Sequence, residues 1–577
     1  MVRQRPTRRA TGNDTVQYRS PHGSGAWAGV LLSGWGVRGW DAGWVSAQSV
    51  ALVCLALGVV VIAGSALANR TGLPGPVVLV VFGLLASVVP GVPQLNLPPE
   101  LVFLVFLPPL VYRASFLTHP RTLRRHVTPL ALLSVGLVLT TALTVAFVLS
   151  HLVPGVGFAQ GLVLGAVVAP TDPVAASGVF GRLGAPREVV DIVEGESLVN
   201  DATALVLYAI AVQAVISGPP TVLGAVTGLA VAVLGGVAIG LVTGLLVVLV
   251  RTRIREVGLQ LLLSLFTPYA AYILAEQVTA SGVLAVVTAG VLIGSRSGGI
   301  FGSAARLQTT AFWSLLDVVL NSVLFVLLGL EIRTVLSDLP PEGVWRLTGY
   351  TAAVVATVVT LRLAWQLLIP PPVYWLREKL GRPRSDSSVA ERLVIGWTGM
   401  RGAISLAAAL AIPLSANGAP FPGRALLLFL TVAVVLFTLL AQGTTLPLVL
   451  RRVGLANDES EAEQERDARL ALAEIALARL DELEDDGEAT AEDTSPLRQL
   501  WEQIRMKQDA AGGGDDDKDG NTDLVVDLTA LRLDIAERQS RELLRMTDTD
   551  AIAPEVARTL RQELDLQHMR LGGDDNA

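Results

Sequence analysis

The chain has 577 residues, 51% hydrophobic and 16% charged, with a formal net charge of -7 and a mean hydropathy of +0.55. A soluble globular protein carries about 25% charged residues, so the composition excludes an ordinary soluble domain and points to a membrane protein. The net charge hides a segregation, because arginine dominates the apolar part while Asp and Glu crowd residues 453–577.

Residues 1–45 hold Arg3, Arg5, Arg8, Arg9, Arg19 and Arg38 but no apolar core of signal-peptide type, and read as a basic, disordered tail. No Met lies between Met1 and Met400, so a later start would need an alternative codon. From 46 to 452 there are thirteen apolar runs near the ~20 residues that cross roughly 30 Å of hydrocarbon. They fall at 46–68, 73–91, 98–114, 128–153, 157–180, 188–216, 220–250, 256–276, 279–295, 308–332, 344–370, 391–414 and 424–450. Cys54, the single cysteine, lies in the first run, so no intrachain disulfide can form.

Alternate connections are basic, with Arg70, then Arg121, Arg124 and Arg125, then Arg182 and Arg187, then Arg251, Arg253 and Arg255. Arg296 and Arg306 follow, then Arg377 to Arg392, and Arg451 and Arg452 close the last run. That asymmetry predicts cytoplasmic basic loops, a cytoplasmic C-terminus and a first span entered from outside. The basic segment 1–45 runs against this rule. After Arg452 the sequence predicts an acidic, helical cytosolic domain over 453–577, with helices at 494–509, 525–546 and 553–570 after a first long one. The stretch "DDDKDGNTDLVVD" has Asp515, Asp517, Asp519, Gly520 and Asp523 at calcium-loop spacing, but Val526 stands where a bidentate Glu is required. It reads as a solvated acidic linker. The five histidines, among them His119 and His126, lack metal-ligand spacing.

The fifth run contains "GAVVAPTDPVAASGVF", in which Asp172 stands between two prolines at membrane depth. Irregular backbone there is tolerated only where it is buried in protein or lines a cavity, and an ionisable group there points to function. The plainer reading is a kinked helix whose Asp172 caps freed amides. The next run opens "EGESLVNDATALVLY", where Ser197 and Asp201 are four apart, as are Glu196 and Asn200. Ser197, Asn200 and Asp201 can therefore offer oxygens toward Thr171 and Asp172. Oxygen ligands around a carboxylate suit a hard monovalent cation, and a carboxylate drawn out of water holds a proton more readily. A group that takes either ion, but not both, is the minimum requirement for exchange. Arg401 interrupts run twelve in "IGWTGMRGAISLAAALAIP", and Arg362 lies within run eleven. Two such arginines can neutralise two carboxylates and leave one to titrate. Interrupted runs five and twelve stand at comparable places in two halves of the chain, as in inverted-repeat transporters with broken crossing helices.

The motifs "APTDPVA", "EGESLVNDATALVLY" and "GWTGMRGAISLA", in this order and supported by "FLPPLVY" and "SGVLAVVTAGVLIG", resemble the sodium/proton exchanger family of cation:proton antiporters. The likeness covers 46–452 and is nearest to bacterial members with a cytosolic tail. It implies an all-α polytopic membrane protein of about 13 transmembrane helices, built as a homodimer with a dimerisation domain and a mobile core working by an elevator-like movement. It implies that Asp201 holds Na+, helped by Asn200, Ser197, Asp172 and Thr171. It further implies structural ion pairs of Glu196 and Asp172 with Arg401 and Arg362, the pairing left open, and Asn200 before Asp201 resembles the electroneutral branch. Two positions depart from the pattern. Arg113 follows Tyr112 where relatives often have Glu, and "FWSLLDVVLN" has Ser314 and Asp317 where others often carry Glu. Asp317 and Asn321, four apart, can line the cavity or simply bond between helices.

The expectation is a plasma-membrane antiporter exchanging Na+, or K+ or Li+, for H+ electroneutrally in pH and sodium homeostasis. It is not an enzyme, needs no cofactor and binds no nucleic acid. Anion or organic-acid exchange through Arg401 and helix N-termini is the alternative, which the paired carboxylates oppose. An intramembrane aspartyl protease would require Asp172 and Asp201 to share a proton, without the usual Gly-x-Gly-Asp-like setting. A channel lacks a filter-like segment.

Overall fold

The computed structural model describes residues 47–71, 74–89, 98–118, 124–218, 221–254, 256–300, 303–339, 343–379, 387–456, 460–487, 490–510, 528–549 and 551–570. The expected tail 1–45, the acidic stretch 515–527 and His119 lie outside the described residues.

The apolar runs become helices α1 (Ala47–Thr71), α2 (Gly75–Val88), α3 (Pro99–Leu117), α4 (Val127–Leu152), α5 (Phe158–Val168), α6 (Val174–Leu183), α7 (Arg187–Ser217), α8 (Val222–Arg251), α9 (Val257–Gln277), α10 (Gly282–Ile300), α11 (Ser303–Asp338) and α12 (Val344–Leu368). A short α13 (Pro370–Lys379) leads to α14 (Val389–Trp397), α15 (Ala403–Leu410) and α16 (Arg424–Arg452). Among the described residues eight of these are long and apolar enough to cross a membrane, whereas α2, α5, α10 and the part Leu57–Ala68 of α1 are shorter apolar helices. The structure thus supports a polytopic helical protein without fixing the number of crossings at thirteen.

Two runs are split, as the prolines and glycines of runs five and twelve predict. Run five breaks into α5 and α6 around Ala169–Pro173, and run twelve into α14 and α15 around Thr398–Gly402. Ser388 opens α14 with a capping box, its hydroxyl accepting from the Glu391 amide at 3.1 Å while Glu391 accepts from the Ser388 amide at 3.0 Å. Gly184 closes α6 in the left-handed conformation at φ 56°.

Many large apolar side chains point outward, such as Leu234 at 70% and Leu246 at 56% exposure. On a soluble protein such faces would be a liability; lipid covers them. With no hydrophobic force between helices in lipid, close backbone approach supplies the packing. Gly83 of α2 and Gly329 of α11 face each other so closely that a Cβ on either would strike the other helix's backbone.

Some basic positions are not the solvated loop residues their sequence placement suggests. Arg251 is buried at the end of α8 and donates to the Gln260 carbonyl at 3.3 Å. Beyond Arg452 the chain forms α17 (Ser460–Asp485), α18 (Ala491–Ala510), α19 (Leu528–Asp548) and α20 (Pro554–Arg570). These close around two apolar clusters, one with Leu472, Leu543 and Leu560, the other with Leu480, Leu497 and Trp501.

Candidate functional site

The two helix breaks meet. The Asp172 amide donates to the Met400 carbonyl at 2.8 Å, so the irregular backbone of one break satisfies that of the other. Helix α5 ends at Val168 in a fully buried position, where its last carbonyls have no water to accept from. Arg401 supplies the donor, its Nε reaching the Val168 carbonyl at 2.9 Å. Its Nη1 donates to the Gly399 carbonyl, and its amide donates to Thr438 Oγ1 at 3.2 Å. Thr438 opens a π-helical turn of α16, Thr438–Gln442, which departs from the regular helix where it meets the break.

Asp172 turns its carboxylate to the start of α6, where Oδ1 accepts from the Val174 amide at 2.9 Å. The capping reading of this residue is therefore realised, and its carboxylate also faces a cavity. Gly402 passes against that carboxylate so closely that a Cβ there would overlap it.

Helix α7 carries its polar residues on two faces. Ser197 and Asp201, four apart, line a cavity of about 280 Å³ together with Thr171 and Asp172. Glu196 and Asn200 lie behind that wall. Arg362 grips Glu196 with two hydrogen bonds, at 2.5 Å to Oε1 and 2.8 Å to Oε2, and also donates to the Ile395 carbonyl at 3.0 Å. The Thr171 hydroxyl donates to Glu196 Oε1 at 3.1 Å and accepts from Asn200 Nδ2 at 3.0 Å. A continuous chain Asn200–Thr171–Glu196–Arg362 thus braces the site from inside. The pairing that the sequence left open is resolved for one couple, Glu196 with Arg362. Among the described residues Arg401 binds carbonyls, and Asp172 is held by backbone amides.

The two departures from the family pattern face each other. Arg113 of α3 pairs with Asp317 of α11 at 3.3 Å, and both line the same cavity. Asn321 also lines it, while its Nδ2 donates within α11 to the Asp317 carbonyl at 2.9 Å. Asp172, Asp317 and Asn321 further border a second cavity of about 760 Å³. Two charged lining residues were not singled out from sequence: Glu194, which accepts from the Ser177 hydroxyl at 3.0 Å, and Arg558 of α20. Glu194 opens the "EGES" motif and could have been found there. Arg558 carries no local signal.

Broken helices that meet beside carboxylates lining a cavity of about 280 Å³ define an ion-coupled membrane transporter. The chain belongs to the sodium/hydrogen exchanger family, whose description "Sodium/hydrogen exchanger, transmembrane" matches residues 57–452. It is 33% identical over 529 residues to an uncharacterized Na+/H+ exchanger of Mycobacterium tuberculosis, across 90% of this chain and 96% of that relative. It is 30% identical to the sodium, potassium, lithium and rubidium/H+ antiporter of Bacillus subtilis, across 70% of this chain and 62% of that protein. The low-affinity Na+/H+ antiporter NhaS1 of a Synechocystis strain is 32% identical, over 76% of this chain and 80% of the relative. The fold is that of the sodium proton antiporter MjNhaP1 from Methanocaldococcus jannaschii, with a TM-score of 0.52 at 19% identity over 70% of this chain and 99% of that one.

Proposed function

We propose that the chain exchanges a monovalent cation, Na+ or alternatively K+ or Li+, for H+ across the plasma membrane. The carrying observation is Asp201, a buried carboxylate on a cavity wall that also offers Asp172, Ser197 and Thr171. At Asp201, Asp172, Ser197 and Thr171 an arriving cation meets oxygen ligands, the set that suits a hard ion. Asp201 carries the exchange by holding either the cation or a proton, and the braced network behind it keeps α7 in place while it does so. Glu196 and Arg362 neutralise each other and serve as structure. The anion alternative is opposed by what surrounds its groups: Arg401 is spent on carbonyls, and the Asp172 carboxylate already occupies the Val174 amide at the start of α6.

Residues 46–452 carry the exchange in this reading, as a homodimer moved by elevator-like displacement, and 453–577 form a cytoplasmic module on the side of the basic loops. Everted vesicles containing the full chain, monitored with a pH-sensitive dye while Na+, K+ and Li+ are added separately, test it. Cation-dependent proton movement is expected for the wild type. Asp201→Asn keeps the shape and removes the titratable charge, so exchange is lost while insertion and dimer formation persist. Full activity of that variant would remove Asp201 from its role.

A further inference from the structure

The tail does not stand clear of the transport machinery. Helix α20 packs on α11, and its Asp565, only 3% exposed, takes both arms of the Arg306 guanidinium, one at 3.0 Å from Nε and one shorter from Nη2. Planar, two-armed pairing of this kind fixes orientation as well as position. Asp565 and Arg558 are seven apart, two helical turns, and so share one face of α20. On that face Arg558 Nη2 donates to the Leu117 carbonyl at 2.9 Å, at the last residue of α3. The guanidinium then lines the cavity that holds Asp172, Asp201 and Glu194. Arg558 is an exposed residue, whereas Arg362 and Arg401 are buried.

We infer that Arg558 of the C-terminal tail is part of the cation pathway, a tethered positive charge that opposes entry of the transported cation from the tail side. The argument rests on the exchange reading above. An arriving cation must approach Asp201 past a fixed guanidinium that already shares the field of Asp172 and Glu194. Like charges in a confined cavity raise each other's free energy, and low-dielectric walls prolong the effect beyond its range in bulk water. The consequence is a lowered apparent affinity for the cation with no change in the chemistry at Asp201. Because the charge is delivered by a helix held through the Arg306–Asp565 ion pair, the Arg558–Leu117 hydrogen bond and its packing on α11, release of α20 would raise the affinity without altering the transport residues themselves.

The test uses the full chain in everted vesicles, whose outer face carries the tail in the cytoplasmic reading, with the rate of dye dequenching followed against Na+ concentration. Arg558→Gln is expected to lower the Na+ concentration for half-maximal rate about three- to sixfold, the effect of one unit charge across a wet cavity of this size. The maximal rate should stay within about twofold of wild type. Arg558→Lys keeps the charge and should behave as wild type, whereas a merely packing role would make it behave as Arg558→Gln. Asp565→Asn, which loosens the anchor, should shift the half-maximal concentration in the same direction as Arg558→Gln. An unchanged or raised half-maximal concentration in Arg558→Gln, or a lysine variant indistinguishable from it, overturns the inference while exchange itself stands. A wild-type chain with no cation-dependent proton flux overturns the exchange reading and this inference together.

Discussion

Glu196 and Arg362 have side chains only 1% and 2% exposed, and at that depth the pair is worth more as a pair than as two residues. Each charge has lost its water, and only the other's presence repays that loss. Glu196→Gln should therefore lower stability by about 3–5 kcal/mol, the range for stranding a buried partner, and the loss should appear as a depressed melting temperature in detergent. The double variant Glu196→Gln with Arg362→Met should recover part of it, because both charges are then gone. A double variant no more stable than the single one would mean that Arg362 acts mainly through its bond to the Ile395 carbonyl. From sequence, both residues stood out as charges without a place in lipid, but their partnership did not. The pairing depends on how α7 and α12 cross, and two arginines and three carboxylates leave several electrically equivalent solutions. Geometry selects one, and gives Arg401 to carbonyls instead.

The broken helices were the most legible elements, because Pro170, Pro173, Gly399 and Gly402 mark irregular backbone wherever they occur in an apolar run. What sequence could not show is how the breaks are repaired. Arginines reach in from elsewhere to serve orphaned carbonyls at helix ends: Arg401 at Val168 of α5, Arg362 at Ile395 of α14, and Arg424 at Leu410 of α15. The hairpin of Ser415–Ala416 with Ala419–Pro420 did have a signal, Asn417-Gly418, both residues at positive φ. It lies in the short connection between runs twelve and thirteen. Gly402 gives this scale its prediction. A methyl group there would fall on the Asp172 carboxylate, and displacing a liganding group by an ångström costs up to about 100-fold in rate. Gly402→Ala should thus cut exchange about 10- to 100-fold with the protein still inserted and melting near wild type. Gly181→Ala is the control: nothing stands near its Cβ position and α6 is helical there, so activity should persist and stability rise slightly. Equal damage from both substitutions would show that helix flexibility, not the contact with Asp172, is what the glycines provide.

Across the whole molecule the charges near the site can be balanced. Glu196 is matched by Arg362, and Asp317 by Arg113. The Asp172 carboxylate accepts from the Val174 amide and shares the field of Arg113 with Asp317, so its charge is offset in part by these groups. Asn200 is an amide whose nitrogen serves Thr171, and it adds no proton-carrying group. In the proposed cycle Asp201 is then the one carboxylate of this set left to change partner. One proton against one monovalent cation moves no net charge, so the membrane potential, worth about 2.3 kcal/mol per charge per 100 mV, has nothing to act on. Exchange in proteoliposomes with Na+ as substrate should therefore be indifferent to a potassium–valinomycin potential of either sign. Acceleration by one sign would mean that a second group titrates. Asp172 is then the first suspect, because backbone amides hold it where an arginine holds Glu196. Asp172→Asn should in that event abolish the voltage dependence. Asn200→Asp need not create one in a voltage-indifferent wild type, because a new carboxylate at that position would lack a counter-charge. The outcome in the wild type therefore decides between one titrating carboxylate and two.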